Sequence, residues 1–110
     1  MLRLPISKLL RRRGFSVLEA SDGSVAIDLV RRHKGDIEVL LLDVTLPGGV
    51  SSREVFEEAQ RLRPGLKAVL TSAYGKERVK ATFSGLRVEH FIRKPFQLVD
   101  LVRLLQDVCR

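Results

Sequence analysis

The stretch Glu38-Val39-Leu40-Leu41-Leu42-Asp43-Val44-Thr45-Leu46-Pro47-Gly48-Gly49 decides the fold. Its unbroken apolar run, without polar alternation, is the kind of strand that is buried on both faces of a parallel sheet. Asp43 ends the run where a Pro/Gly loop begins, so a carboxylate surfaces at the strand's carboxyl end. Two later strand-like runs end in the same way. Ala68-Val69-Leu70 leads into Thr71-Ser72, and His90-Phe91-Ile92-Arg93 leads into Lys94-Pro95. An acid, a hydroxyl and an amine therefore converge on one sheet edge, while no Asp or Glu occurs before Glu19.

Outward from this strand, the apolar period switches between helical and strand-like, with Gly or Pro at the joins. Leu2 to Arg13 reads as a helix with Leu4, Ile6, Leu9 and Leu10 available to one face, stopped by Gly14 in the position a helix C-terminus favours. Phe15 to Ala20 reads as a short strand, and Ser21-Asp22-Gly23 offers caps for a helix from about Ser24 to His33, ended by Gly35. Downstream, Ser51-Ser52-Arg53-Glu54 fits a capping box, in which serine and glutamate satisfy each other's free amides. That predicts a helix to Leu62, broken by Arg63-Pro64-Gly65. A strand over Lys67 to Thr71, a helix over Lys76 to Phe83, a strand over Glu89 to Arg93 and a helix over Gln97 to Val108 complete the order αβαβαβαβα. Four strands alternating with helices imply right-handed crossovers and a parallel sheet covered on both faces. In such sheets function collects at the carboxyl ends of the strands, where Asp43, Thr71 and Lys94 all fall.

At 110 residues the chain reads as one domain over 1–110, and 45% hydrophobic with 30% charged residues is a globular composition. No apolar run approaches the roughly 20 residues that span a bilayer, and the basic start lacks the apolar segment of a signal peptide. The expectation is a cytoplasmic protein without a membrane partner. Cys109 is the sole cysteine and has no internal disulfide partner. A net charge of +7 invites a nucleic-acid reading, but Arg11-Arg12-Arg13 is the only run of three basic residues and no zinc spacing or base-stacking motif accompanies it. A solvated basic face is the simpler account, so no specific nucleic-acid partner is expected. His33 and His90 have no Cys or His at ligand spacing and read as surface or packing residues.

Asp43 before its Pro/Gly loop, Thr71-Ser72-Ala73 and Lys94-Pro95-Phe96 together resemble the receiver domain of two-component response regulators, over nearly the whole chain. The resemblance implies a flavodoxin-like fold and a phosphoacceptor role in a phosphorelay, without metabolic catalysis. Asp43 would attack the phosphohistidine of a histidine kinase or phosphotransfer protein and become an acyl phosphate. Lys94 would pair with a phosphoryl oxygen and the Thr71 hydroxyl would hydrogen-bond another. Phe91 matches the family's switch aromatic, Pro95 the position of a cis peptide bond, and the backbone carbonyl of Thr45, with Asp43, two ligands of Mg²⁺. Taken singly, Asp43 also reads as a turn residue, Thr71 as a β-former, Lys94 as a surface charge and Phe91 as core.

The chain departs from that family at its start. Receivers open with a central strand ending in acidic residues that hold Mg²⁺; this sequence starts about where their first helix starts, so the fold is read as N-terminally truncated. One carboxylate is a poor magnesium site, and the ion is expected to bind weakly or not at all. Either the chain is a fragment of an ordinary receiver, or it is a degenerate receiver serving as a phosphorylation-independent protein-binding module. The strands on either side of the missing one are expected to pair directly, or to recruit a strand from another copy by self-association. A nucleic-acid binder and a small flavodoxin-like enzyme are the remaining rivals, and the absence of a Gly-rich phosphate loop argues against the enzyme.

Overall fold

Three of the apolar runs form parallel strands, β1 (Val39–Asp43), β2 (Lys67–Ser72) and β3 (His90–Arg93), in the spatial order β1-β2-β3. Around them stand α1 (Ile6–Arg12), α2 (Gly23–His33), α3 (Ser52–Leu62), α4 (Lys76–Thr82) and α5 (Leu98–Val108). The computed structural model describes residues 6–33, 35–46 and 48–109. The expected helical start at Leu2 to Pro5, with Leu4, lies outside them, as does Pro47.

Alternation of side chains along the strands separates two apolar layers. Val69, fully buried, faces α1 and α5, where Leu10, Leu101, Val102, Leu105 and Val108 close over it. Its neighbour Leu70, equally buried, points the other way, to Ala26 of α2, Val55 and Phe56 of α3, and Val79 of α4. Each such side chain contributes about 1.5–3 kcal/mol on leaving water. Phe56 meets Phe83 edge to face at 5.6 Å, which ties α3 to the end of α4.

The helix ends follow their sequence signals. Ser51 Oγ accepts from the Glu54 amide at 3.1 Å while the Glu54 carboxylate accepts from the Ser51 amide at 3.1 Å, completing the expected capping box. Beyond α1, Gly14 takes φ +93°, a conformation that favours glycine, and Phe15 N–H returns to the Leu10 carbonyl at 3.1 Å.

One expected strand is corrected. Phe15 to Ala20 joins no ladder, so the described sheet has three strands where the sequence suggests four, and the expected direct pairing with β1 does not occur among the described residues. The segment is held to α1 instead: Arg11 donates to the Val17 carbonyl at 2.8 Å, and Ser7 Oγ donates to the Glu19 carboxylate at 2.7 Å. Residues with β-propensity form a strand only where another backbone accepts their hydrogen bonds. The physical reason for the miss is the absence of such a neighbour among the described residues.

Candidate functional site

β1 and β2 are in register so that Asp43 pairs with Thr71, and β2 and β3 so that Ser72 pairs with Arg93. The carboxyl ends of all three strands therefore lie side by side, and the loops that follow them start from one edge. Val44 N–H donates to the Thr71 carbonyl at 2.9 Å and Lys94 N–H to the Ser72 carbonyl at 2.8 Å, which extends each ladder one residue into its loop. The Lys94-Pro95 peptide is cis, as the resemblance implies for that position.

Within this edge the Lys94 ammonium donates to Asp43 Oδ2, and the Thr45 amide donates to Asp43 Oδ1 at 3.0 Å. Both charged side chains remain partly open to water, 42% for Lys94 and 36% for Asp43. An ion pair so exposed contributes only about 0–1 kcal/mol to folding, so little holds the two charges to one another if an anion arrives. Thr71 is buried at 5% exposure, and its hydroxyl has no hydrogen-bond partner among the described residues. An unpaired buried hydroxyl costs about 1–3 kcal/mol and is an anomaly in a native core.

Phe91, half-buried, packs against the cluster that holds Leu70, Val79 and Phe83. Thr45 itself is exposed. The structure thus brings Asp43, Lys94 and the Thr45 amide into contact, sets Thr71 beside Asp43 in the register, and leaves Phe91 in the apolar layer beneath.

Three further groups were not singled out from the sequence. Ser52 Oγ donates to the Val44 carbonyl at 2.6 Å and fixes the loop after Asp43 to the start of α3. Ser72 Oγ accepts from the Tyr74 amide at 3.0 Å and shapes the loop after β2. Arg53 donates to the carbonyls of Thr82 and Ser84 at 3.1 and 2.8 Å, clamping the end of α4. A groove of about 520 Å³ opens beside the site, lined by Thr45, Arg53, Ser72, Tyr74 and Arg78 among others. The adjacent serines Ser51 and Ser52 were legible as a cap, but only the tertiary arrangement reveals that the second one restrains the loop.

A magnesium ion would find few ligands among the described residues. No group of three or more His, Cys, Asp or Glu side chains converges there, and both oxygens of Asp43 already accept hydrogen bonds. Magnesium demands near-octahedral oxygen coordination, usually with one or two carboxylates beside substrate oxygens and water. These residues do not fit a magnesium site.

Comparison with known proteins decides the family, since residues 1–106 match the response regulator receiver domain. This chain belongs to that family. It is 34% identical over 107 residues to the probable transcriptional regulatory protein TcrX of Mycobacterium tuberculosis, covering 96% of this chain and 44% of that protein. It therefore spans less than half the length of that relative. Over 110 residues it is 26% identical to the chemotaxis protein CheY of Thermotoga maritima, covering 99% of this chain and 89% of that one. Among solved structures, the receiver domain of NtrX from Brucella abortus superposes with a TM-score of 0.82 at 20% identity, covering 94% of this chain and 86% of that chain. The chain is a CheY-like receiver domain of two-component signalling. Receivers are in general signalling modules without metabolic activity, and they work with histidine kinases or phosphotransfer partners. No helix among the described residues is long and apolar enough to cross a membrane.

Proposed function

We propose that this receiver accepts a phosphoryl group on Asp43 from the phosphohistidine of a histidine kinase or phosphotransfer protein in the cytoplasm. A carboxylate oxygen of Asp43 attacks phosphorus, the P–N bond to imidazole breaks with the electron pair leaving on nitrogen, and an acyl phosphate forms. Lys94 moves from the carboxylate to a phosphoryl oxygen, and the unpaired hydroxyl of Thr71 donates to another. Turning Thr71 toward the phosphoryl group frees space into which Phe91 rotates, and this changes the face offered to an output partner.

The observation that carries this reading is the combination of a partly exposed Asp43–Lys94 pair with a buried Thr71 hydroxyl that has no partner among the described residues, with Asp43 and Thr71 on neighbouring strands in register. Such a hydroxyl costs stability while it is unpaired, and a phosphoryl oxygen on Asp43 would give it an acceptor. Since the described residues do not form a magnesium site, the charge developing on the phosphoryl group is met mainly by Lys94, and transfer is slow.

The single carboxylate also favours a second reading, a receiver that binds its partner without phosphorylation. One experiment separates the two. A histidine kinase carrying radiolabelled phosphohistidine is mixed with the chain and with Asp43→Asn. Phosphorelay predicts slow movement of label to the native chain only, whereas a phosphorylation-independent module predicts equal co-purification of both with the kinase and no movement of label. Label on the Asn variant would contradict Asp43 as acceptor.

A further inference from the structure

We infer that the groove between α3 and α4 is a binding site for a small organic anion, an apolar body that carries one phosphate or carboxylate group. Its apolar lining comes from Val44 and Leu46 after β1 and from Val79 of α4. Its polar lining is made of hydroxyls and the guanidiniums of Arg53 and Arg78, and no carboxylate lines it among the described residues. At about 520 Å³ the space lies within the roughly 300–1,000 Å³ of small-molecule sites.

The two guanidiniums differ in what they have left to donate. Arg53 is already matched, paired with Glu57 at 3.0 Å and donating to the carbonyls of Thr82 and Ser84 at 3.1 and 2.8 Å. It is a fixed wall. Arg78 instead lies over the Tyr74 ring, 4.1 Å from its centre, and its side chain has no carboxylate or carbonyl partner among the described residues. A guanidinium stacked on a ring keeps its in-plane N–H fork free, and that fork matches a phosphate or carboxylate with two parallel hydrogen bonds. The unmatched charge of the groove is therefore that of Arg78.

The rest of the lining is set before any ligand arrives. Tyr74 is 46% exposed, and its amide donates to Ser72 Oγ at 3.0 Å, which fixes the backbone that carries the ring. The ring and the aliphatic side chains suit an apolar body. Ser72 also lines the groove at 1% exposure, and its own proton goes to no acceptor among the described residues. A buried donor without an acceptor is uncommon in a native core, and an oxyanion in the groove would supply one. Walls held in place in advance lower the ordering cost of binding.

The test titrates the full, isotope-labelled chain with phenyl phosphate and with benzoate and follows the backbone amides by NMR. Both probes should bind saturably, with a Kd on the order of 1 mM for molecules so small. The largest shifts should fall on Tyr74, Val79 and Thr82 and not on Lys94, and the tighter probe tells phosphate from carboxylate. Arg78→Gln should weaken binding about tenfold or more. Arg103→Gln, which removes an exposed charge of α5 outside the groove, should leave binding unchanged. Equal weakening by both variants would mean that the probes answer only to the net charge of +7. Shifts centred on Lys94 would assign the anion to the Asp43 edge, and equal affinity for benzylamine or for inorganic phosphate would remove the need for an anion or for an apolar body. Any of these results, or the absence of saturable binding, would overturn the proposal. None of the readouts depends on phosphorylation of Asp43.

Discussion

At the scale of the residue, Thr71 is a local anomaly that the proposed phosphorelay would put to use. Its hydroxyl is buried and unpaired among the described residues, so Thr71→Val is expected to leave the fold as stable as before or raise its stability by about 1 kcal/mol in urea titration. A loss of that size would show that the hydroxyl is satisfied in the resting state. Cys109 gives a second test, because burial, reinforced by the nearby Glu38 carboxylate, pushes its thiol above the ordinary range. Less of it is thiolate at neutral pH, so alkylation by iodoacetamide should be slower than that of free cysteine and should accelerate only at more alkaline pH. Equal rates at neutral pH would contradict this. The sequence alone placed Asp43, Thr71 and Lys94 at strand ends because a strand that leaves the core must end in polar groups, and the register then set them side by side. The fixing of the loop by Ser52 and the clamp by Arg53 were not legible, since both join residues through tertiary contacts that no periodicity records.

At the scale of the element, local signals decided the helices and failed at one strand. The box formed by Ser51 and Glu54 was visible as four residues of sequence, and it starts α3 where expected. Ser51→Ala should cost about 1 kcal/mol by denaturant titration, and a change below a few tenths would mean that packing alone sets the helix start. Gly23 begins α2, and a Cβ there would stand 2.8 Å from the Val50 carbonyl oxygen. The clash outweighs the better helix propensity of alanine, so Gly23→Ala should destabilise by about 1–3 kcal/mol. Between α2 and α3, Arg61 and then Arg31 hold the Glu58 carboxyl below its usual range. A carboxylate with a depressed folded pKa adds stability above its unfolded value and loses it as pH falls through the folded one. The Glu58 contribution should therefore fade on acidification below the usual carboxylate range. Its carboxylate is partly open to water, so added salt should weaken the contribution further, as carboxyl NMR titration of the native chain and Arg61→Gln can show. Phe15 to Ala20 was misread for a physical reason: strand propensity belongs to the segment, but a ladder belongs to its neighbours.

At the scale of the whole molecule, alternating strands and helices were sufficient to predict a parallel α/β sheet with its chemistry at the strand ends. The strand count could not be read in this way, because it depends on which edges are occupied. Net charge is a property at this scale too. If +7 is only a solvated surface, binding to duplex DNA should be weak, indifferent to sequence and lost near about 150 mM salt. Sub-micromolar, sequence-selective binding at that salt would give the charge a partner. The central claim is that Asp43 is the phosphoacceptor, and intact-mass spectrometry after incubation with acetyl phosphate tests it most directly. The account predicts slow addition of one phosphoryl group to the native chain, slower still in Lys94→Ala and absent in Asp43→Asn. It would be contradicted by a native chain that stays unmodified through prolonged incubation, or by an Asn variant that gains the same mass at the same rate.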